Sequence, residues 1–330
     1  MFPLALAYTG LGALLLAGAA QRRRRRIRRA AANLLITYIM LTLLLLAGEI
    51  FFRFAYAESD GLPTLALRNW QARYWRVNSL GYRDREWTPA DWEGRQIVIV
   101  VGDSFTAGWG VENTADRFAD VLAAQLGDGY AVINLGDPGA NTVTALERLR
   151  AYPLQTPDYV IVQYTLNDIE PAALSIGLDP GLNPLAQMPA WAAESYLGSF
   201  IYWRWVNIFQ PEARGTQTYT DWLHSMYDHS VVWAIHAQQI NDLIDQIEAM
   251  GAVPAVVIFP DMLNPFASIA YVDRVAQVFA ARGYGDRVLK LFDAAEAMPL
   301  AERIVSPRDA HASAAFHRVV GQMLYDQLFR

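Results

Sequence analysis

Apolar and polar positions follow two different rhythms along this chain. The amino-terminal part carries two uncharged, mostly apolar runs, Phe2–Ala20 and Ala30 to about Phe52, the second interrupted late by Glu49. Each is close to the roughly 20 residues that a bilayer-spanning helix requires. From Gln96 onward short, largely apolar runs at Ile97–Val101, Ala131–Leu135, Tyr159–Tyr164, Val253–Phe259 and Val288–Phe292 predict strands. Between them the spacing predicts helices at Ala115–Leu126, Thr142–Tyr152, Val232–Met250 and Tyr271–Arg282, the last two stopped by Gly251 and Gly283. Strands largely apolar along their length and separated by helices predict an α/β fold with a parallel sheet covered on both faces. A last helix, about Ser313–Phe329 with Ser313 as its N-cap, closes the pattern.

Two stretches follow neither rhythm. Tyr56–Arg95 includes NWQARYWRVNSLGYRDREW and reads as a juxtamembrane linker that folds onto the body. Pro171–Ser230 carries Trp191, Tyr196, Phe200, Tyr202, Trp203, Trp205, Phe209 and Trp222. A connection of that length carries structure of its own. Two readings stand: its rings pack onto the domain, or it forms a lid or membrane-resting surface beside the substrate cleft. The domains expected are thus 1–56 (two spans), 57–95 (linker) and 96–330 (catalytic body with the 171–230 insertion).

Charge orients the apolar runs. QRRRRRIRR (Gln21–Arg29) puts seven arginines between them, while residues 1–48 hold no acid. A secretory signal carries its positive charge before the apolar stretch, so a cleaved signal peptide is not expected. Arginines in a short loop fix it in the cytoplasm. The expectation is a hairpin of two transmembrane helices with both ends outside and the body extracytoplasmic; Glu49 and Arg53, four apart, pair at the outer end. The body then holds all 33 acids against 20 of the 27 basic residues, which argues against a nucleic-acid partner. Absence of cysteine removes disulfides and thiolate chemistry.

The stretch with most chemistry is VIVVGDSFTAG (Val98–Gly108), where a buried strand hands over to Asp103-Ser104. Open α/β sheets place reactive groups just outside the carboxyl ends of their strands, which makes Ser104 a candidate nucleophile, although Gly-Asp-Ser is also ordinary turn chemistry. A serine hydroxyl needs a base, itself oriented by a third group. Of five histidines, His311 lies in the loop before the last helix, SPRDAHASAAFH, with Asp309 two residues earlier. In an extended segment those side chains share one side. His317 reads as a packing or surface residue. His224, His229 and His236 show no metal spacing, and there is no HExxH. Donors for a tetrahedral oxyanion are available from the backbone of Ser104, from Gly139 in NLGDPGANT and from the Asn167 amide in YTLND.

Gly102–Ser104, Gly139, Asn167–Asp168 and the closing Asp309/His311 pair, in this order, resemble the SGNH (GDSL-type) hydrolases over roughly residues 96–330. The resemblance implies a flavodoxin-like three-layer α/β/α fold with Ser104 as nucleophile, His311 as base, Asp309 as its orienter, and Ser104, Gly139 and Asn167 as the oxyanion hole. VNSLGYRDREW is similar to a segment that precedes the domain in membrane-bound bacterial members. Three positions depart from the family pattern: Thr165 stands for the Gly of GxND, Asp309-Ala310-His311 is one residue shorter than DxxH, and Ala312 replaces a common Pro. The shortened spacing leaves open whether Asp309 or a backbone carbonyl orients His311. Ser104 is not flanked as in GxSxG, which separates it from the α/β-hydrolase elbow.

The function expected is a membrane-anchored, extracytoplasmic serine esterase that needs neither metal nor organic cofactor. It would remove O-acyl groups, acetyl among them, from cell-surface carbohydrate. An acyltransferase to a sugar hydroxyl, a lipid esterase or lysophospholipase, and a catalytically weak polysaccharide-binding module remain as alternatives.

Overall fold

The computed structural model of the chain describes residues 2–21, 24–60, 64–154, 156–180, 188–209 and 216–330. Parts of the expected arginine loop (22–23), the linker (61–63) and the aromatic insertion (181–187 and 210–215) lie outside the described residues. The chain forms two compact units. One gathers described residues of Met1–Glu58, Pro63–Trp70 and Pro184–Arg214, and the other those of Ser59–Leu62, Gln71–Asn183 and Gly215–Arg330.

The larger unit is built on five parallel strands, β1 (Gln96–Gly102), β2 (Tyr130–Gly136), β3 (Tyr159–Tyr164), β4 (Val253–Ile258) and β5 (Val288–Lys290), in the order β2-β1-β3-β4-β5. Val98 of β1 lies opposite Val132 of β2 on one side and Tyr159 of β3 on the other. Because a strand's side chains alternate, Ile97, Ile99 and Val101 enter one core while Val98 and Val100 enter the other. The first core is closed by the helices Thr142–Ala151, Ser230–Ala249 and Ile269–Ala281, through residues such as Leu149, Ile244 and Phe279. The second is closed by Phe118–Leu126 and Ala314–Leu328, through Phe118, Leu122, Phe316 and Val320. The result is the expected flavodoxin-like α/β/α arrangement. Each fully buried branched or aromatic side chain in these layers contributes about 1.5–3 kcal/mol. The connections reverse direction at β1, and this switch point opens the crevice where such sheets bind ligands.

Three local expectations change. Apolar character runs to Phe292, yet β5 ends at Lys290 and a helix starts at Phe292. Leu291 is fully buried and its N–H bonds the Ile258 carbonyl at 3.1 Å, so the run signals burial beyond the end of the extended backbone. The helix expected from Ala115 begins at Phe118, because Thr114–Asp116 forms one 3₁₀ turn, with Asn113 Oδ1 accepting from Ala115 N, and Arg117 is extended. The segment around His311, expected as a loop, is an antiparallel hairpin of β6 (Ile304–Ser306) and β7 (Asp309–Ala312), turned through Pro307 and Arg308. The Ser313 hydroxyl caps the last helix by accepting from Phe316 N at 3.1 Å, as its sequence position suggests.

In the smaller unit α1 (Phe2–Ala20) and α2 (Arg25–Phe54) lie side by side, with the Tyr8 and Tyr38 rings 4.7 Å apart and Tyr38 OH donating to the Tyr8 carbonyl at 3.1 Å. Among the described residues α2 is the one helix long and apolar enough to cross a membrane; the apolar stretch Leu6–Ala20 is shorter. The helix Tyr196–Phe209 packs on the end of α2, where Phe52 meets Phe200 with ring centres 4.2 Å apart. Glu49 does pair with Arg53, at 2.8 Å, and its carboxylate also accepts from Ser195 Oγ, Tyr196 N and Leu197 N. An acid inside an apolar run is thereby explained: it satisfies the free N–H groups at the start of a neighbouring helix.

Candidate active site

Ser104 opens a single helical turn, Ser104–Ala107, immediately after β1. The turn is possible because Asp103 caps it, its Oδ1 accepting from Phe105 N at 2.7 Å. From behind, Gly136 lets β2 come close: a Cβ there would stand 2.2 Å from the Ala107 nitrogen, so no other residue fits without moving backbone. Asn134 Nδ2 donates to the Thr106 carbonyl at 2.8 Å. The loop that follows is gathered by the buried Arg83, whose guanidinium donates to the carbonyls of Gly108 at 2.6 Å and Val111 at 2.7 Å. This gives VNSLGYRDREW a physical role, since Asp84 beside Arg83 accepts from Asn134 N and Trp87 Nε1. Burial, and then the neighbouring Arg117, lower Arg83 to about 10, still a cation at neutral pH.

His311 and Asp309 occupy β7, where residues two apart share a face. His311 Nε2 lies 2.8 Å from Ser104 Oγ, and its Nδ1 lies 2.5 Å from Asp309 Oδ1. The shortened spacing therefore still lets the carboxylate reach the imidazole. Oδ2 of the buried Asp309 accepts from the Ser59 hydroxyl. Burial pushes the Asp309 carboxyl up, but the His311 and Ser59 hydrogen bonds outweigh it and hold the group below its ordinary value. Aromatic rings flank the imidazole: Phe105 at 5.1 Å and Trp109 at 6.2 Å between ring centres, with Trp75 edge-on to Trp109 at 5.1 Å.

Gly139 follows β2 with φ +85°, a conformation glycine adopts without penalty, and the space where a side chain would project is open. Asn167, half-buried, stands on the 3₁₀ turn Leu166–Ile169 after β3. Thus hydrogen bonds join Ser104, His311 and Asp309, while Gly139 and Asn167 stand at the carboxyl ends of the two strands flanking β1. Thr165, the departure from GxND, has its Oγ1 2.7 Å from Asp103 Oδ2 and 2.5 Å from Asn167 Oδ1.

The remaining histidines have structural partners. His317 is fully buried, as the packing reading allows: its Nδ1 accepts from Phe118 N at 3.2 Å, and burial takes it down to about 3. His236 Nε2 lies 2.7 Å from Tyr164 OH, and burial lowers it to about 4. His229 Nδ1 accepts from Val232 N at 3.3 Å, and the His224 ring rests 4.7 Å from that of Tyr271. No group of three or more metal-ligating side chains occurs among the described residues. The sequence gives no role to Ser59, Arg83 or Asp103, and shows Thr165 only as a departure from GxND. Asp103 lies inside the GDS motif and Arg83 inside a segment already quoted, whereas nothing around Ser59 marks it.

A serine hydroxyl on an imidazole that is itself held by a carboxylate is the arrangement that generates an alkoxide-like nucleophile. A model of the GDSL-like lipase/acylhydrolase family matches residues 100–319. Three solved structures are similar at low identity. A lipolytic G-D-S-L family member from Veillonella parvula is 11% identical over 71% of this chain and 98% of its own, TM-score 0.42. The psychrotrophic esterase EstA from Pseudoalteromonas sp. is 13% identical over 71% and 96%, TM-score 0.43. A carbohydrate acetylesterase family member from Sinorhizobium meliloti is 14% identical over 71% and 99%, TM-score 0.39. No curated protein sequence matches the chain.

Proposed function

Since the chain belongs to the GDSL-like lipase/acylhydrolase family and is a serine hydrolase of ester bonds, we propose that Ser104 is its nucleophile, His311 its general base and Asp309 the group that orients the imidazole. The observation that carries this reading is the unbroken hydrogen-bonded line from Ser104 Oγ through His311 to Asp309 Oδ1. His311 takes the serine proton as Oγ attacks the ester carbonyl. The oxyanion is received by the N–H groups of Ser104 and Gly139 and by Asn167 Nδ2. Collapse of the adduct expels the alcohol, which takes its proton from His311. The same imidazole then activates water to release the acid and free the serine.

The substrate class in this proposal is O-acyl, including acetyl, ester on cell-surface carbohydrate. Trp109 and Trp75, partly exposed next to His311, supply apolar faces of the kind against which a sugar ring packs. In the same proposal α1 and α2 anchor the protein, with residues 21–29 cytoplasmic and the sheet unit outside. Ile201, Trp205 and Ile208, exposed at i, i+4 and i+7 on the helix that packs on α2, then share its apolar layer.

The test is fluorophosphonate labelling of the detergent-solubilised full chain. Wild type should label, and Ser104→Ala and His311→Ala should not. A wild type that stays unlabelled beside a reacting serine hydrolase overturns the reading.

A further inference from the structure

The helix Thr216–Asp228 closes the aromatic insertion and packs on the turn Leu166–Ile169 that carries Asn167. Tyr219, Leu223, Met226 and Tyr227 follow i, i+4, i+7 and i+8, the spacing of one helical stripe. Leu223, Met226 and Tyr227 are buried in the same core as Leu166 and Ile169, the two ends of the turn. Apolar burial brings helix and turn together without fixing the turn's backbone.

Two phenol groups supply what burial does not. Tyr227 OH donates to the Leu166 carbonyl at 3.0 Å, and since a carbonyl has no proton to give, the hydroxyl is the donor. That carbonyl belongs to the peptide group joining Leu166 to Asn167, whose atoms lie in one plane. Tyr219 OH donates to Oε2 of Glu170, the first residue after the turn, at 2.5 Å. Asn167 is thus held from both sides by one helix.

The helix has fixed neighbours of its own. Tyr227 is fully buried, and its hydroxyl also meets that of Tyr164 at the end of β3. Tyr164 OH in turn lies 2.7 Å from His236 Nε2 on the helix Ser230–Ala249. Arg274, on the helix Ile269–Ala281, donates to the Tyr227 carbonyl. Swinging this part of the insertion away would break all of these bonds and strand buried polar groups, which is costly.

We propose that the helix Thr216–Asp228 is a fixed buttress of the oxyanion-binding turn, in which Tyr227 sets the plane of the Leu166–Asn167 peptide and so the direction in which the Asn167 side chain leaves the backbone. Tyr219 steadies the other end through Glu170, and both tyrosines are positioning residues. The proposal rests on the reading of Asn167 as an oxyanion donor. A donor of this kind lowers the barrier only if it is aimed before the charge develops, which is what a rigid support provides. A lid would instead leave its place to admit substrate.

The experiment compares the full chain with Tyr227→Phe, Tyr219→Phe, Asn167→Ala and the double variant Tyr227→Phe/Asn167→Ala on p-nitrophenyl acetate, with fluorophosphonate labelling and hydrogen exchange beside it. Loss of a whole oxyanion donor costs about 10²–10³ in kcat, so a loosened one in Tyr227→Phe should cost about 10-fold with KM little changed. Tyr219→Phe should show the same pattern to a smaller degree. Once Asn167 is alanine, Tyr227→Phe should cost nothing further, whereas a merely structural tyrosine would cost the same in both backgrounds. Hydrogen exchange should be faster over residues 165–170 in Tyr227→Phe, and slow over 216–228 in wild type; this readout does not depend on activity. Wild-type kcat in Tyr227→Phe, an equal loss in both backgrounds, or fast exchange over 216–228 in a wild type that labels overturns the buttress and leaves the hydrolase reading intact. A wild type that never labels overturns the hydrolase reading and the oxyanion role with it, while faster exchange over 165–170 in Tyr227→Phe would still support the tyrosine's hold on the turn.

Discussion

Ser59 donates its hydroxyl to Oδ2 of Asp309, while Oδ1 of the same carboxylate lies 2.5 Å from His311 Nδ1. A residue 250 positions earlier in the chain thus holds the far side of the carboxylate that is hydrogen-bonded to the imidazole. Both oxygens of Asp309 are occupied, which fixes the plane of the carboxyl group; in the proposed mechanism that holds His311 in the tautomer whose Nε2 accepts the Ser104 proton.

Asp309→Asn should therefore lower kcat by about 10²–10⁴ with folding retained, since an amide can hold the ring in the wrong tautomer. Ser59→Ala, which loosens the carboxylate without removing it, should cost about tenfold or less, the scale of one hydrogen bond to a charged group at about 1.5 kcal/mol. Ester turnover read beside thermal unfolding checks both. A turnover in Asp309→Asn equal to wild type would mean that another group orients His311.

Gly136→Ala should be destabilising by about 3 kcal/mol, because the added methyl meets backbone of the Ser104 turn that cannot rotate away. The same substitution at Gly129, where nothing lies within 4 Å, should cost far less. Urea unfolding of the two variants makes the comparison. Similar midpoints would show that the Ser104 turn can yield to β2.

The sheet and the line Ser104–His311–Asp309 were readable because each rests on a local code. Continuous apolar runs mark strands buried on both faces, and a reactive residue just past such a run stands at the crevice. The i, i+2 relation of Asp309 and His311 needs only extended backbone. What was not readable depends on the third dimension. Ser59 reaches Asp309 across most of the chain, with no pattern around it. Thr165 read as a departure from GxND, and its place between Asp103 and Asn167 is a relation that sequence order hides. At Leu291 the apolar code failed for a simple reason: burial continues into a helix start, and periodicity over so short a run cannot separate the two.

Acid should weaken the fold through two buried imidazoles. In the unfolded chain His236 and His317 bind protons below about 6.5, whereas folded they stay neutral until pH nears about 4 and about 3. The unfolded state then binds more protons across that window, so stability falls as pH falls, by up to about 1.4 kcal/mol per pH unit for each histidine. Asp103 and Asp168, pushed up, act in the opposite sense, so the measurement is a difference. His317→Gln, whose amide oxygen can accept from Phe118 N, should show a shallower fall of unfolding free energy than wild type between pH 6.5 and about 4. Parallel pH profiles for the two would mean that His317 is protonated in the folded protein.

The absence of cysteine makes the membrane arrangement directly testable. Single cysteines at Glu93, Asp128 and Arg28, all exposed, report on the sheet unit and on the arginine-rich end of α2. In the proposed topology the positive-inside bias holds the seven arginines between the apolar runs on the cytoplasmic side and puts the carboxyl end of α2 and all that follows on the other. A membrane-impermeant maleimide applied to intact cells should then modify Glu93→Cys and Asp128→Cys, and Arg28→Cys only after lysis. A cysteine at Phe2 separates one span from two: modified from outside, it places the start of α1 across the bilayer from the arginines. Protected until lysis, it leaves α2 as the single crossing, with the sheet unit still outside. Modification of Arg28→Cys in intact cells, with Glu93→Cys protected, would reverse the topology and move the esterase to the cytoplasmic face, away from cell-surface carbohydrate.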